Sequence, residues 1–322
     1  MSNKQVDLLT IGDCSIDLYM RIKNNSMSEE ITPNEPTKVC FFHGSKIPVE
    51  EFETSIAGNS LNVAVAASIL GLNTSIYTET GKDENTIRLM RELKDLDIET
   101  KHVIQNEGTA TDVHTIIVFE GERTIFSYHG KREYKLQNWE KPRCIYYTSI
   151  GKGFENFQTE LIDYLKKNPD VMAVFNPGTF QMQAGVTDLK PFLRVTHILI
   201  LNKQETESLI NDKSNDLTVY HKKLQELGPK LTVITDAAKG ATAYDGEKMY
   251  IQKAYTDPRP ILDMTGAGDA FAAAFVSAIL YGKTLDQALK WGVIDANNQI
   301  KEIGAIKGLI NKTEIEKIAK KI

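Results

Sequence analysis

The sequence predicts an α/β protein built on a doubly wound, mostly parallel β-sheet with a small β-sheet lid. Short apolar runs of strand length alternate with stretches of helical periodicity through most of the 322 residues. Such alternation indicates βαβ units, whose parallel strands are buried on both faces. A polar insertion at 23–53 and a hairpin pattern at 111–128 interrupt the alternation and predict the lid.

The first half of the chain predicts strands, helices and one hairpin. The predicted strands are 6–12, 74–78 and 101–104. The predicted helices are 59–70, which Gly71 ends as a C-terminal cap, and 85–96. Alternating runs at 111–119 and 123–128 flank Glu120-Gly121-Glu122, which is typical of a β-hairpin.

The second half alternates more regularly. The predicted strands are 144–148, 171–175, 197–201 and 231–235. The predicted helices are 156–167, 204–210 and 270–279. Because these strands follow one another with helices between them, they extend the parallel sheet of the first half.

The polar stretch at 23–53 is rich in Ser, Asn and Pro and has one apolar island at 39–42. One interpretation is a disordered surface loop. The other is a small sheet, formed with the hairpin, that covers the site. Long structureless insertions are uncommon in compact domains, which favours the sheet. We therefore expect one domain over 1–322, with a lid from about 20–54 and 109–130.

Composition excludes several classes of protein. A net charge of −5 and a pI near 5.8 argue against nucleic-acid binding, which usually needs a basic stripe. No apolar run approaches the ~20 residues that cross a bilayer, and no signal segment opens the chain, so a cytoplasmic protein without a membrane partner is predicted. Cys14, Cys40 and Cys144 indicate neither a disulfide framework nor a zinc site, and Cys144 is a predicted core residue.

The segment 263–271, Asp-Met-Thr-Gly-Ala-Gly-Asp-Ala-Phe, carries the strongest chemical signal. A glycine-rich turn that opens onto a helix directs backbone N–H groups at one point, where the helix dipole favours an anion. Asp269 beside such a site suits a base that takes a proton from a hydroxyl attacking phosphorus. The alternative is a helix cap. Phe271 stands where a dinucleotide fingerprint needs glycine, and no Walker A sequence occurs.

Polar residues follow the first predicted strand and open the first predicted helix. Asp13 and Asp17 suit hydrogen bonds to vicinal hydroxyls, and Asp17 is the stronger candidate because Asp13 also suits a turn cap. Gly58 lets a ligand approach the backbone, and Asn62 offers both a donor and an acceptor. Their neighbours, residues 59 and 60, are interpreted as helix caps.

Two later segments predict contacts to a nucleotide and its metal. Asn202 and Glu205 follow a strand and suit Mg²⁺ held through water, although a capping box explains the same spacing and the two are compatible. The small-residue loop from Thr235 to Gly240 suits ribose and phosphates, and an ordinary β-turn is its alternative.

In this order the motifs Gly-Asp-x-x-x-Asp, Gly-x-x-x-Asn, Asn-x-x-Glu and Asp-x-x-Gly-Ala-Gly-Asp-x-Phe resemble those of the ribokinase-like (PfkB) carbohydrate kinase family. The resemblance covers essentially the whole chain, including the late Gly304-Ala305 pair. It implies the ribokinase-like fold, with ATP and Mg²⁺ as cofactors.

The resemblance also assigns roles to individual residues. It implies that Asp269 is the catalytic base and that Gly266, Ala267 and Gly268 form the anion hole for the transferred phosphoryl group. The implied sugar contacts are Asp17, Gly58 and Asn62. The implied nucleotide and Mg²⁺ residues are Asn202, Glu205, Thr235, Gly240 and Asn298, the last of these at the adenine pocket.

Asp263 lies where many members of the family bind a monovalent cation, usually K⁺. The chain departs from the family pattern at Ala57 for glycine, Met264 for threonine and Ala274 for glycine, and Lys131 stands where a small residue often follows the glycine of the hairpin. Because Met264 removes a hydroxyl near the cation region, K⁺ dependence is left open. The resemblance further implies a homodimer formed through the lid.

The preferred hypothesis is an ATP-dependent kinase of a hydroxymethyl group on a small sugar or sugar acid, as in ribokinases, fructokinases and ketodeoxygluconate kinases. A nucleoside kinase of the adenosine type is the alternative. A phosphosugar kinase would need a basic cluster, for which Lys46, Arg123, Lys131 and Arg132 are available. A non-catalytic sugar- or nucleotide-binding protein is the alternative outside enzymes.

Overall fold

The computed structural model describes residues 5–23, 28–30, 38–119 and 122–321. These residues form a nine-stranded main sheet, a four-stranded small sheet and a two-stranded ribbon, with helices on both faces of the main sheet. The ribbon consists of β3 (Ser28–Glu30) and β4 (Lys38–Cys40).

The main sheet contains both parallel and edge strands. In chain order its strands are β1 (Leu8–Ile11), β6 (Thr74–Gly81), β7 (Glu99–Asn106), β10 (Cys144–Tyr147), β11 (Met172–Phe175), β12 (Ile198–Asn202), β13 (Leu231–Thr235), β14 (Ala241–Tyr244) and β15 (Met249–Gln252). The strands of the small sheet are β2 (Ser15–Ile22), β5 (Val49–Ala57), β8 (Asp112–Phe119) and β9 (Glu122–Tyr128).

The helices connect these strands or follow them. They are α1 (Asn59–Ile69), α2 (Glu84–Asp95), α3 (Glu155–Lys167), α4 (Thr179–Ala184), α5 (Val186–Leu193), α6 (Lys203–Ile210), α7 (Leu217–Glu226), α8 (Ala267–Leu280), α9 (Leu285–Gln299) and α10 (Lys312–Ala319).

The spatial order of the main sheet is β15-β14-β13-β12-β11-β10-β1-β6-β7. All pairs from β7 to β13 are parallel, and only the β13–β14 and β14–β15 pairs are antiparallel. The chain builds outward from β1 to one edge and then from β10 to the other, so the direction reverses between β1 and β10. This confirms the predicted doubly wound, mostly parallel fold. Ligands of such sheets bind at the reversal point, beyond the carboxyl ends of the strands.

Three hydrophobic clusters hold the layers together. One packs α1, α8 and α9 against one face of the main sheet, and Phe275, Ala272 and Leu289 are fully buried in it. The second fills the opposite face with aromatic residues such as Phe157 and Phe192. The third joins α1 and α2 to the base of the small sheet. Burial on both faces explains why the central strands appear in the sequence as continuous apolar runs.

The small sheet has the strand order β5-β2-β8-β9. The predicted hairpin is its β8–β9 pair, which is antiparallel, with residues 120–121 at the tip outside the described residues. β2 begins at Ser15, before the expected lid boundary at 20, and pairs with β5 and with β8. Of the stretch expected at 20–54, residues 24–27 and 31–37 also lie outside the described residues.

Among the helices of the described residues, none combines the length and the apolar character that crossing a membrane would require.

Candidate active site

The reversal point between β1 and β10 contains a cavity of about 350 Å³. The chain after β1 is joined to the chain after β10 by the Asp13 N–H, which donates to the Ser149 carbonyl at 2.8 Å. The small sheet forms the opposite wall of the cavity with His114 and Ser127, and α1 contributes Asn59. Loops at strand ends and a second sheet therefore enclose this space, as in ligand sites of doubly wound folds.

Asp269 lies in the first turn of α8 and is held by two amides of α1. The Nδ2 group of Asn62 donates to Asp269 Oδ2 at 2.8 Å, and that of Asn59 donates to Oδ1 at 3.1 Å. The carboxyl group is 8% exposed. Because both oxygens accept hydrogen bonds from a rigid helix, the orientation of Asp269 is fixed before any ligand binds.

Burial raises the pKa of Asp269, the bonds from Asn62 and Asn59 lower it and the Glu205 carboxylate raises it, so that the pKa is about 6. A base must be deprotonated to act, so a base with this pKa is active at neutral pH and loses function as the pH falls through about 6. A carboxylate with an ordinary pKa would be a weaker proton acceptor.

With Asp269 as the predicted base, we expect the amide of Asn62 to set the acid limit of activity. In Asn62→Ala a hydrogen bond that lowers the pKa of Asp269 is lost, so that pKa rises. We expect the acid limb of kcat/KM to move to higher pH, with a several-fold loss of activity at pH 6 and a smaller loss at pH 8. Ser68→Ala is the control, because this hydroxyl on the same helix donates to the Leu96 carbonyl far from the site. An unshifted acid limb in Asn62→Ala would contradict the assignment.

Residues 266–268, the anion turn, precede Asp269. Gly266 is the N-cap of α8 with φ 77°, and a Cβ there would lie 2.4 Å from the Ala305 carbonyl oxygen. A Cβ at Gly268 would meet no atom of the described chain within 4 Å. Glycine is therefore needed at 266 for the turn itself, whereas at 268 it leaves open space over the helix N-terminus, where an anion is favoured.

Asp13 lines the cavity and has unusual electrostatics. Tyr134 Oη donates to Asp13 Oδ1 at 2.7 Å and accepts from the Gly151 N–H at 3.0 Å. Burial, and then the charge of Asp112, raise the pKa of Asp13 to about 7, although the Tyr134 bond lowers it. Near neutral pH Asp13 is therefore present both as an acceptor and as a donor toward a hydroxyl.

Asp17 is buried on the same face of the small sheet as Ser15 and His114. Its Oδ1 accepts a bond from Ser15 Oγ at 3.1 Å and lies 3.3 Å from His114 Nδ1. Ser15 and His114 both line the cavity, so Asp17 supports the groups that face it. Direct contact between Asp17 and a substrate stays a prediction.

Gly58 lines the same cavity, and its φ of 116° has a clear cause. A Cβ there would lie 2.4 Å from the Asp13 carbonyl oxygen, so the close approach of the chain after β1 requires glycine. The interpretation of residues 59 and 60 as caps is wrong, because Gly58 is the N-cap of α1. Asn59 bonds to Asp269 instead, and the Ser60 hydroxyl donates to the Asp13 carbonyl.

The cavity residues Asp112, His114 and Phe180 were not among the predicted site residues. His129 packs edge-on against His114 at 5.4 Å and against Phe180 at 5.5 Å, and these three rings form an aromatic wall. The Asp112 carboxylate bonds to His129 Nδ1 at 2.9 Å, and this bond raises the pKa of the imidazole. Arg132, buried, pairs with the same carboxylate at 2.8 Å.

Asn176 was also missed. The signal in the sequence was a polar residue directly after β11, because ligands of such sheets bind beyond the carboxyl ends of the strands. Its Nδ2 donates to the Ile200 carbonyl at 2.8 Å, and its Oδ1 accepts from Tyr146 Oη at 3.1 Å. The side chain thereby joins the ends of β10, β11 and β12 at the floor of the site.

Asn202 and Glu205 form the capping box of α6. The Asn202 N–H donates to Glu205 Oε2, and the Glu205 N–H donates to Asn202 Oδ1, both at 2.8 Å. Burial raises the pKa of Glu205, which lines a cleft of about 540 Å³ that shares Asn59, Ser149 and Thr179 with the first cavity. The capping interpretation is confirmed, and the Mg²⁺ role stays a prediction.

The three predicted nucleotide residues lie along the far half of the main sheet. Thr235 ends β13, and a 3₁₀ turn at Ala237–Lys239 leads to Gly240. Gly240 has φ 100°, and a Cβ there would lie 2.1 Å from the Gln252 carbonyl oxygen. Asn298 on α9 accepts a bond from Arg259 at 2.7 Å and donates to the Ile294 carbonyl at 2.9 Å. Their contact with a nucleotide stays a prediction.

Asp263, the predicted monovalent-cation residue, is paired with a side chain of the small sheet. Arg123 Nη1 lies 2.7 Å from Asp263 Oδ1. The same carboxylate accepts bonds from the Thr265 N–H at 2.9 Å and the Gly304 N–H at 3.0 Å.

Comparison with known proteins assigns the chain to a family. The model of the pfkB family of carbohydrate kinases matches residues 7–312. An ATP-dependent 6-phosphofructokinase of Thermoanaerobacterium thermosaccharolyticum is 24% identical over 320 residues, covering 94% of this chain and 91% of that protein.

Solved structures share the fold at low identity. The nucleoside kinase of Methanocaldococcus jannaschii, an archaeal member of the ribokinase family, has a TM-score of 0.80 at 21% identity, with 99% of both chains covered. Arabidopsis thaliana ribokinase complexed with ribose and ATP has a TM-score of 0.80 at 20% identity, covering 98% of this chain and 99% of that one. These structures confirm the predicted ribokinase-like fold. Since the family model spans nearly the whole described chain, the protein belongs to the pfkB family of carbohydrate kinases and is a phosphotransferase with an alcohol group as acceptor.

Proposed function

We propose that this kinase transfers the γ-phosphoryl group of ATP to a primary hydroxyl of a small, uncharged sugar. The observation that carries the proposal is Asp269, a buried carboxylate whose pKa burial raises to about 6, fixed by Asn59 and Asn62 beside the open anion turn. A base and an anion site side by side are what transfer to a hydroxyl requires.

The mechanism follows from these neighbours. Asp269 accepts the proton of the attacking hydroxyl while Asn59 and Asn62 keep its carboxylate in place. The N–H groups of the anion turn and the dipole of α8 stabilise the negative charge of the group in transfer. The small sheet, which forms one wall of the cavity, limits access of water, the competing acceptor.

The residues present fit ATP and Mg²⁺. Open space over Gly268 accommodates a phosphate group. Within the described chain the capping box uses Oε2 of Glu205, and Oε1 has no hydrogen-bond partner, so Glu205 with Asn202 would hold Mg²⁺ through its waters. When bound, Mg²⁺ neutralises charge on the phosphate oxygens. Thr235, Gly240 and Asn298 would bind the nucleoside.

The charges around the cavity favour an uncharged acceptor. Asp13 and Asp112 place carboxyl groups at its inner end, and both oxygens of Asp112 are already bonded to Arg132, His129 and the Gly130 N–H. A sugar acid or a sugar phosphate would set a second anion against the carboxylate form of Asp13, which predominates above its pKa of about 7. Arg132, one of the basic residues considered for a phosphate, is 6% exposed and is used inside the protein. Hydroxyls, in contrast, match the acceptor oxygens of Asp13.

A nucleoside is the second candidate, because the aromatic wall favours it. His114, His129 and Phe180 present ring surfaces on which a base can pack. The structural neighbour from Methanocaldococcus jannaschii is itself a nucleoside kinase. Since fold similarity at this identity does not decide the substrate, the two acceptor classes must be separated by experiment.

The test is ADP release from MgATP with matched acceptors, each pair differing in one chemical feature. We expect turnover with an uncharged pentose or hexose. With the corresponding sugar acid or sugar phosphate we expect kcat/KM to be at least tenfold lower, which corresponds to about 1.4 kcal/mol of free energy. Preference for adenosine, inosine or another nucleoside would support the second candidate. If the protein binds ATP but transfers nothing to any acceptor, it is a non-catalytic binder and the proposal fails.

We further propose that two copies associate through the outer face of the small sheet. This face, opposite the cavity, carries Met20, Phe52, Phe126 and Tyr128, as the strand register shows. Phe52, Phe126 and Tyr128 are 58%, 56% and 50% exposed. Exposed apolar patches of this kind mark protein–protein contacts, and a second copy offers the same self-complementary face.

Phe126→Asp should abolish this association, because it places a charge in the middle of an apolar interface. We expect light scattering at micromolar concentration to show a dimer for the natural protein and a monomer for Phe126→Asp. Ile87→Asp on α2, at a residue that is 58% exposed, is the matched control and should remain dimeric. A monomeric natural protein, or a dimeric Phe126→Asp, would refute the interface.

A further inference from the structure

We propose that Arg123 is a positioning residue whose guanidinium, carried by the small sheet, is the cation that fixes Asp263 and the start of the anion turn. Phosphoryl transfer would then require the small sheet in its closed position and no free monovalent cation. The inference rests on the proposed function and deepens it, because it concerns how the same site is assembled.

The first observation is the contact itself. Arg123 lies on β9 of the small sheet, whereas Asp263 and Thr265 lie in the segment that leads into α8. Its Nη1 donates to Asp263 Oδ1 at 2.7 Å and also contacts the Thr265 hydroxyl. One guanidinium therefore joins the small sheet to Asp263 and Thr265, in the segment that precedes the anion turn.

The second observation is the burial of the carboxylate. The Asp263 side chain is 8% exposed. Burial alone would raise its pKa, but bonds from Thr265 and Gly304 and the charge of Arg123 hold the pKa below the ordinary value. A buried carboxylate that stays ionised needs a cation nearby, and Arg123 is the one that contacts it in the described structure.

The third observation is how Asp263 is connected to the turn. Besides Arg123, it holds the Thr265 N–H at 2.9 Å, the Thr265 hydroxyl at 2.7 Å and the Gly304 N–H at 3.0 Å. Thr265 precedes Gly266, and Gly304 precedes Ala305, whose carbonyl lies against Gly266. The carboxylate thus fixes both chain segments that shape the N-terminus of α8.

These observations link the small sheet to the chemistry. β8 and β9 supply the cavity wall at His114 and Ser127, and β9 also supplies Arg123. The one placement of the small sheet therefore both walls the cavity and holds the guanidinium at Asp263. Displacing reacting groups by ~1 Å can cost ~100-fold in rate, so a turn that loses this cation should transfer slowly.

Arg21 provides a matched control. It lies in the same row of the small sheet, since it pairs in register with Val118, which pairs with Arg123. Both arginines line a cavity of about 550 Å³ between the small sheet and the 261–264 segment. Arg21, however, pairs with the exposed Glu51 at 3.1 Å. The cavity also gives a small cation access to the place of the missing guanidinium.

The experiment compares natural protein, Arg123→Ala, Arg123→Lys and Arg21→Ala at several concentrations of KCl, NaCl and guanidinium chloride, the last kept in the low millimolar range. We expect the natural protein to show the same kcat with K⁺ as with Na⁺. Arg123→Ala should lose roughly 10- to 100-fold in kcat, with a smaller change in the KM of the acceptor. Guanidinium or K⁺ should restore part of the loss, Arg123→Lys should retain more activity, and Arg21→Ala should match the natural protein.

A second readout does not depend on turnover. Hydrogen exchange of the Thr265 and Gly304 amides should be faster in Arg123→Ala and unchanged in Arg21→Ala. Equal kcat and exchange in the two variants, a loss that no cation relieves, or K⁺-dependent activity of the natural protein would each overturn the inference. Absence of transfer by the natural protein, with faster exchange in Arg123→Ala, would count against the proposed function alone.

Discussion

Asp269→Asn is expected to lose roughly 10²–10⁴-fold in kcat, the contribution of a general base. The amide has nearly the same shape as the carboxylate and still accepts one hydrogen bond from α1, but it cannot take a proton from the acceptor hydroxyl. Steady-state ADP release near pH 7.5, well above the pKa of about 6 that burial gives Asp269, measures the loss.

Binding separates this chemical role from a structural one. Asp269→Asn should bind the acceptor with a Kd within a few-fold of that of the natural protein, by calorimetry in the absence of ATP. Asp286→Asn, an exposed aspartate in the first turn of α9, is the control and should keep full activity. Unchanged turnover in Asp269→Asn would remove the base from the mechanism.

The second large effect is expected in the anion turn. There Gly266 is needed for the conformation of the turn, and Gly268 for the open space where the phosphoryl group is expected. Gly268→Ala adds a methyl group to the open space over the turn, so the fold is kept while the phosphoryl group is displaced. A displacement of ~1 Å is expected to cost about 100-fold in kcat. The thermal midpoint of Gly268→Ala should stay within a few degrees of that of the natural protein.

Gly266→Ala, in contrast, should lower the stability of the fold as well as the activity. Its φ of 77° disfavours alanine by ~1–2 kcal/mol, and its Cβ would overlap the Ala305 carbonyl oxygen at 2.4 Å. A lowered thermal midpoint together with lost activity is therefore expected. If Gly268→Ala were as active as the natural protein, the space over the turn would not be where the phosphoryl group lies.

Local sequence patterns predicted the core of the fold well. Runs such as Leu8–Ile11 and Cys144–Tyr147 are buried at every position, and such runs appear in the sequence without knowledge of their neighbours. The turn before α8 was recognisable from its glycines. Gly266 has a positive φ, which residues other than glycine disfavour, so the turn requires glycine in the sequence.

The small sheet was harder to predict because its strands are only partly buried. Most of β5 is exposed, with charged residues at Glu50, Glu51 and Glu53, so its sequence resembles a loop. β2 pairs with β8 far along the chain, and this register places Asp17 opposite His114. No local pattern encodes such a pairing.

Side-chain partners across elements were the least predictable. Asn59 opens α1, a position typical of capping residues, yet its amide reaches Asp269 on α8 because the two helices pack together. The same holds for Arg123, which contacts Asp263 only through the placement of the small sheet. Sequence reasoning singled out both Asp269 and Asn62, but not the hydrogen bond that joins them.

The most direct test of the account is transfer of labelled γ-phosphoryl from ATP to an uncharged sugar by natural protein and by Asp269→Asn. We predict a phosphorylated sugar in amounts equal to the ADP formed with the natural protein, and at least 100-fold slower transfer with Asp269→Asn. ADP formation without a labelled sugar or nucleoside, or equal transfer by both proteins, would contradict the central claim that Asp269 activates an alcohol for phosphorylation.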